Sequence, residues 1–340
     1  MRARYMQNQD NKLLKTDAIG SNEPAYRVGI LPLPGFALMS YACTVEPLRA
    51  ANLLSRRSLY DVIHFGDETT VESSGAASIE RRHGVGDLVD LDLLLVVAGG
   101  DPFAFQNPDV FAWLNKLDRK GIRIGGVSGG SVVLANAGLM SGRRLTVHWE
   151  HAAALSEKFP DSLIERRLYV IDRDRVTCGG GTAPLDLMHA LIADHHGRVF
   201  AHLVSDWFLH TEVRAATAPQ RGGTAERFGI HSPRVLEAVS LMESHVGDPL
   251  SLAQMALMTQ ISSRQLNRLF RETVGQSVMG FYRDLRLDTA RRLIRSTAMN
   301  MGEIAEATGF SHSGHFSNAY ADRFGLRPTA DRNATQEIGL

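Results

Sequence analysis

The sequence predicts a doubly wound α/β sandwich followed by an all-α domain that carries two helix-turn-helix motifs. Three observations lead there. Short apolar runs alternate with helical patterns from residue 26 to about residue 210, the signature of parallel strands joined by crossover helices. A polar stretch at 215–227, with Pro219, Gly222 and Gly223, breaks that alternation. From Pro233 onward every apolar pattern has a helical period. The length of 340 residues also exceeds the roughly 250–300 that one core fills, so two domains are expected.

Taken in order, residues 1–24 are polar, lack the apolar centre of a signal peptide and read as a disordered tail. Arg27-Val28-Gly29-Ile30-Leu31 is the first strand, stopped by Pro32, Pro34 and Gly35. A helical pattern covers 44–54, and Asp61-Val62-Ile63-His64-Phe65 is the second strand. Leu93-Leu94-Leu95-Val96-Val97 is the third, and its unbroken apolar character suits a strand covered on both faces. It ends in Ala98-Gly99-Gly100-Asp101. A helix over 110–120 leads to a fourth strand at 122–127, which runs into Ser128-Gly129-Gly130 and a helix over 131–138. Segments 168–171 and 175–178 flank Asp172-Arg173-Asp174 as a hairpin, and long helices follow at 183–195 and 199–210. The expected division is an α/β domain at 25–212, a linker at 213–232, a helical domain at 233–335 and a tail at 336–340.

Bulk composition says little about partners. Basic and acidic residues number 37 each, for zero formal charge. All lysines (Lys12, Lys15, Lys116, Lys120, Lys158) lie in the first half, so every later fixed cation is arginine. Arginine is the better bidentate partner for phosphate and guanine, although drift in a GC-rich genome gives the same bias. Cys43 and Cys178 make no disulfide framework, which fits a reducing cytoplasm. No run of about 18 apolar residues exists to cross a membrane, so no membrane partner is expected.

The helical domain carries the strongest signal. Leu252, Met255 and Ala256 mark one face of a short helix at 251–258, and Thr259-Gln260-Ile261 breaks it. Ser262 with Gln265 reads as a capping box opening a second helix. Leu266, Leu269 and Phe270 face inward there, while Arg264, Gln265, Asn267, Arg268 and Arg271 face outward. The design recurs some fifty residues on. Residues 303–307 form the first helix, Gly309 is its expected C-cap, and Ser311 or Ser313 is the expected cap of the second. Phe316, Tyr320 and Phe324 mark the buried side, with His312, His315, Ser317, Asn318 and Arg323 outward. A long helix over 278–294 joins the two motifs. The major groove, about 12 Å wide, admits one helix, and two recognition helices about 34 Å apart read successive grooves of double-stranded DNA. A plain helical bundle is the competing reading, and two motifs of matching polarity weigh against it. Residues 231–335 hold 12 arginines against 10 acids, so affinity must come from placement and dimerisation rather than bulk charge.

Pro249-Leu250-Ser251, Ser262-Ser263-Arg264-Gln265-Leu266-Asn267-Arg268-Leu269-Phe270, Gly275, Leu285-Arg286-Leu287 and Ala290-Arg291 resemble the AraC/XylS family. So do Ile304-Ala305, Gly309-Phe310, His315-Phe316-Ser317, Phe324-Gly325 and Pro328. The resemblance implies Arg264, Asn267 and Arg268 as base or phosphate contacts, and Ser313, Ser317 and Asn318 in the second motif. Two positions depart from the pattern: Asn318 stands where arginine is common, and Asp331 where an aromatic usually precedes Arg332. Both imply different readout by the second motif.

The α/β domain poses a choice between enzyme and sensor. Gly126-Val127-Ser128-Gly129-Gly130 has the G-x-S-x-G spacing and strand-to-helix setting of a nucleophile elbow. His148 is a candidate base, with Glu46 or Asp186 as orienting acid, so a serine hydrolase or amidase with a DNA-binding appendage is one reading. Against it, the glycines equally suit a tight turn or anion nest, and no motif places an acid beside His148. Leu33-Pro34-Gly35-Phe36, Glu46-Pro47-Leu48-Arg49, Ala98-Gly99-Gly100, Val127-Ser128-Gly129-Gly130 and Thr146-Val147-His148-Trp149-Glu150 resemble the PfpI-type, glutamine-amidotransferase-like fold. Its catalytic members place cysteine at the elbow, where this chain has Ser128. The two-domain arrangement resembles GlxA-type regulators within AraC/XylS. That resemblance implies a non-enzymatic, cytoplasmic regulator of the activator type: a homodimer working with RNA polymerase and sensing a betaine, carnitine or a basic amino acid.

The candidate ligand residues are Phe36, Glu46, Gly99, Gly100, Ser128, Gly129, His148 and Trp149. Glu46 suits a cation, Phe36, Phe103 and Trp149 offer aromatic faces for a quaternary ammonium, and the glycine and Ser128 amides suit a carboxylate. Phe36 and Trp149 equally fit a hydrophobic core, and Glu46 a helix cap. A third reading is a ligand-independent DNA-binding protein whose α/β domain only dimerises. His148 and His151 have H-x-x-H spacing, but with no cysteine or second pair in register no metal or other cofactor is expected.

Overall fold

The computed structural model describes residues 24–222, 228–297 and 299–338. Of the expected tail at 1–24, all but Pro24 lies outside the described residues, as does part of the expected linker. The α/β part runs β1 (Tyr26–Pro32), α1 (Leu38–Ser55), β2 (Tyr60–Gly66), β3 (Thr70–Glu72), β4 (Ser78–Glu80), β5 (His83–Gly84), β6 (Leu93–Ala98), α2 (Pro108–Arg119), β7 (Arg123–Ser128) and α3 (Gly130–Asn136). It continues with β8 (Arg144–Leu145), α4 (Ala152–Lys158), β9 (Leu163–Ile164), β10 (Tyr169–Asp172), β11 (Arg175–Cys178), α5 (Ala183–His196) and α6 (Arg198–Trp207). The helical part comprises α7 (Pro233–Ser244), α8 (Leu252–Met258), α9 (Ser263–Val274), α10 (Val278–Ser296), α11 (Met301–Ala307), α12 (Ser313–Phe324) and α13 (Pro328–Ile338).

The main sheet has seven strands in the order β10-β11-β7-β6-β1-β2-β5, all parallel except for the antiparallel β10–β11 hairpin. Strand β6 shows why its sequence lacks alternation. Leu93, Leu95 and Val97 enter the core shared with Leu48, Leu187 and Ile192, while Leu94, Val96 and Ala98 enter the opposite core with Trp113, Leu114 and Val133. Both faces are covered, so every position must be apolar. The direction of strand succession reverses at β1 and β6, which opens a crevice at their carboxyl ends. Ala98 pairs with Ser128, so the Gly99-Gly100 turn and the Ser128 elbow emerge side by side there.

The elbow is built by close approach. A Cβ on Gly130 would lie 2.0 Å from the Val96 carbonyl oxygen, and one on Gly126 would lie 2.4 Å from the Ser131 nitrogen. Only glycine lets the chain turn there from β7 into α3.

Several boundaries differ from expectation. Helix α1 begins at Leu38, not residue 44, because its buried set mixes Ser40, Cys43, Thr44 and Pro47 with Leu48, Ala50 and Ala51, too small and polar to make a stripe. Strands β3, β4, β5, β8 and β9 have two or three residues each, too few for any period.

The helical part holds two separate cores. Val239, Met255, Leu266, Phe270 and Tyr282 lie in one; Leu287, Leu293, Ile304, Phe316 and Tyr320 lie in the other. Helix α10 contributes to both along its 19 residues, about 28 Å at 1.5 Å per residue.

Candidate DNA interface and ligand pocket

The two motifs follow one plan. Thr259 and Thr308 are fully buried, and each hydroxyl donates to the carbonyl four residues back, of Met255 and Ile304. The next residues, Gln260 and Gly309, both take left-handed backbone, φ 56° and 72°. At Gly309 glycine is forced, because a Cβ would lie 2.4 Å from Pro249 Cγ. Arg286 then fixes the second turn, donating to the carbonyls of Thr308 and Gly309 and lying 4.2 Å from the Phe310 ring centroid.

The caps fall differently from expectation. Complete capping boxes belong to Ser251 with Gln254, at the start of α8, and to Asn300 with Glu303, at the start of α11. Ser262 accepts from the Gln265 backbone N–H without the reciprocal bond. The cap of α12 is His312, between the two serines expected there, and its side chain makes no capping bond. Thr308, not Gly309, is the C-cap of α11.

On α9 the structure exposes Arg264, Gln265, Arg268 and Arg271 together. Arg268 lies 3.7 Å from Glu272 in an exposed pair, and such pairs contribute at most about 1 kcal/mol, so the guanidinium can exchange partners. Asn267 departs from its expected role. It is half-buried, and its Oδ1 accepts the Val278 N–H at 3.1 Å, tying α9 to the start of α10. On α12, Ser313, Gly314, His315 and Asn318 are exposed and Ser317 is half-buried. Arg323 is held by Asp284 and Asp288, each at 2.7 Å.

At the crevice, Ser128 has φ 58° and is 6% exposed. This is the sparsely populated backbone of an elbow, held because the surrounding fold over-determines it. Ser128 Oγ has no hydrogen-bond partner among the described residues. Two acids named with His148 are engaged elsewhere. Asp186 is fully buried and accepts from His210 at 2.9 Å and from Arg214. Glu46 accepts twice from Arg49 and is 41% exposed. The Gly129 N–H donates to the Ala98 carbonyl, so it is taken, whereas those of Gly99 and Gly100 have no acceptor among the described residues. Phe36 is fully buried core, with Tyr41 at 5.3 Å between ring centroids.

His148 Nδ1 lies 3.8 Å from the Glu150 carboxylate. Burial pushes its pKa down, and Glu150 opposes this. His151, 5.9 Å from it between centroids, is 4% exposed. Burial, then the neighbouring His148, pushes His151 down to about 4, and its Nδ1 has no partner among the described residues. Trp149 is covered on one side by the Arg221 guanidinium, 4.4 Å from the ring centroid, so a cation of the chain already occupies that face. Cys178 ends β11 beside the elbow strand, but burial pushes its thiol up to about 12. It is no substitute thiolate.

Sequence reasoning passed over Ser40 and gave His151 only a spacing. Ser40 is buried in α1 and its Oγ accepts the Gly181 N–H at 2.8 Å; Gly180 in turn packs on Ser128, where a Cβ would lie 2.6 Å from Ser128 Cβ. A serine in a helix the pattern did not reach left no signal.

A helix-turn-helix domain family matches residues 255–334, and the DJ-1/PfpI family matches residues 27–194. The HTH-type transcriptional regulator GlxA of Rhizobium meliloti (strain 1021) is 45% identical over 304 residues, spanning 89% of this chain and 94% of the relative. The HTH-type transcriptional regulator CdhR of Pseudomonas aeruginosa is 39% identical over 302 residues, spanning 89% and 90%. A THiJ/PfpI family protein from Pseudomonas syringae superposes with a TM-score of 0.52 at 18% identity, covering 73% of this chain and 93% of that one. That last likeness is one of fold.

Proposed function

The chain belongs to the GlxA-type helix-turn-helix transcriptional regulators, and from that premise we propose that its α/β domain senses a small nitrogenous metabolite. A betaine, carnitine or a basic amino acid is the class intended. Occupancy biases how the DNA-binding domains are presented, and the regulator, as a homodimer, recruits RNA polymerase to activate transcription.

One observation carries the sensor reading: the elbow keeps its strained turn without the means to use it. Ser128 is not bonded to a base, and the acids named for His148 are held by Arg49, His210 and Arg214. A serine nucleophile needs an adjacent, oriented base. What remains is a pair of open amides at Gly99 and Gly100 and two histidines whose pKa burial pushes down. Open amides suit a carboxylate. Neutral imidazoles do not repel a ligand's cationic end. A zwitterion satisfies both.

A thermal-shift screen of betaines, carnitine and amino acids tests this. A rise in melting temperature for one class, lost in Gly100→Val, is the expected result. No shift with any compound favours a domain that only dimerises. Stoichiometric fluorophosphonate labelling of Ser128, abolished by Ser128→Ala, favours a hydrolase.

A further inference from the structure

The chain leaves the α/β domain along a path that passes beside the run carrying the candidate ligand residues His148 and Trp149. Arg214 clamps buried Asp186, and the Ala216 carbonyl accepts the Leu168 N–H at 3.0 Å. Gln220 then inserts its carboxamide. Its Nε2 lies 3.0 Å from Thr146 Oγ1, 2.9 Å from the Val147 carbonyl and 2.6 Å from the Arg167 carbonyl. The amide lies flat against Gly179, where a Cβ would come within 2.7 Å of it. The next residue, Arg221, covers Trp149. From the DNA-binding side, the Arg292 guanidinium of α10 lies 5.6 Å from the same ring.

This grip is specific in geometry and incomplete in chemistry. A carboxamide nitrogen has two protons, and three acceptors compete for them. The Oε1 of Gln220 is buried with no partner among the described residues, and an unsatisfied buried acceptor is destabilising. The residues it holds, Thr146 and Val147, directly precede His148 and Trp149. A ligand that moves the 146–149 run therefore removes two of the three acceptors of Gln220 together with the platform of Arg221, and leaves the Arg167 carbonyl.

We propose that Gln220 and Arg221 form a latch that holds the linker on the sensor domain, and that ligand binding opens it. The proposal rests on the sensor reading above. Gln220 acts as a positioning residue. The ligand need only favour the open arrangement over the closed one.

The test uses the full chain, first without ligand. Tryptic cleavage after Arg221 is followed by mass spectrometry. Gln220→Ala and Gln220→Leu are expected to be cleaved severalfold faster than wild type, with thermal unfolding unchanged, and to raise basal output from a reporter promoter. Gln220→Leu keeps the bulk and loses the donor, so wild-type protection in that variant overturns the latch as an amide device. Wild-type rates in both overturn it altogether. Wild type should open when a compound that raises its melting temperature is added, and continued protection with that compound bound also overturns the proposal. A chain whose melting temperature responds to no compound removes the sensor reading instead, because the variant comparison needs no ligand.

Discussion

The two helix-turn-helix halves share a backbone plan and differ in what holds and charges them. At one inward position the first half has Phe270 and the second Tyr320, each fully buried. Phe270 packs on Phe281 at 5.6 Å, and Phe281 on Phe228, so the first recognition helix is held by apolar contact. Tyr320 donates to Asp331, which also accepts from Arg291 and Arg295. The second helix is thus bolted to α10 and α13 by an ionic clamp. The outer faces differ in the opposite sense. Helix α9 exposes Arg264, Arg268 and Arg271, whereas α12 exposes Gly314, His315 and Asn318, and its Arg323 is engaged by aspartates. One half presents open cationic charge, and the other is held rigidly and presents little. The chain thus divides exposed charge and internal rigidity between its two halves.

Breaking the clamp should have the largest effect. Asp331 is 2% exposed. Its removal strands Tyr320 and two arginines, and losing one member of such a pair costs roughly 3 kcal/mol. Asp331→Ala should therefore unfold the second half well below the first. Hydrogen exchange resolved by segment checks this: α12 and α13 should lose protection while α8 and α9 keep theirs. Burial alone would raise the Asp331 carboxyl, but Tyr320, Arg295 and Arg291 outweigh it and hold it below the usual carboxylate range. A depressed folded pKa gives stability that is present above the unfolded value, about 3.9, and is lost as pH falls through the folded value. Only the second half should soften at acid pH in this way, and loss of α9 protection over the same range would contradict the contrast.

Most of this fold is legible in the sequence, and the gaps have physical causes. The four central strands are readable because both faces are buried and each run is apolar. The start of α1 is not, since Ser40 and Thr44 satisfy themselves inside the helix and the fold rather than marking a stripe. Asp331 is visible as an anomaly, an acid where an aromatic is usual, but its meaning needs Tyr320, Arg291 and Arg295 in space. Among site residues, Arg264, Gln265, Arg268 and Arg271 fall outward by period alone. Asn267 has the same period, yet its amide is used within the fold. Glu46 and Gln220 show the same limit from both sides. The first is aligned with the pocket in sequence yet turns to Arg49. The second sits in a linker that composition marks as featureless.

Charge makes the next largest difference. Arg268→Ala should weaken specific DNA binding by roughly 1–3 kcal/mol and lower the slope of log affinity against log salt by about 1 if the contact is to phosphate. The matching exchange in the second half, Asn318→Ala, should cost less than half as much, and Asn318→Arg should raise affinity and steepen the slope. Footprint titration at several fixed salt concentrations measures all three. Equal losses for Arg268→Ala and Asn318→Ala would show that exposed charge does not rank the two halves.

The smallest expected effect lies in the caps, where the halves differ by one bond. Ser262 Oγ accepts the Gln265 N–H at the head of α9, and losing such a cap typically costs about 1 kcal/mol. His312 occupies the same position on α12 without a capping bond, so His312→Ala should change stability little and His312→Ser should stabilise by up to about 1 kcal/mol. Denaturant midpoints at constant m-value separate these outcomes. A helix head also presents free backbone N–H groups that a phosphate can take. If His312→Ser stabilises α12 yet leaves DNA affinity unchanged, the head of the second helix is not held against the backbone, and the second half contributes by rigidity alone.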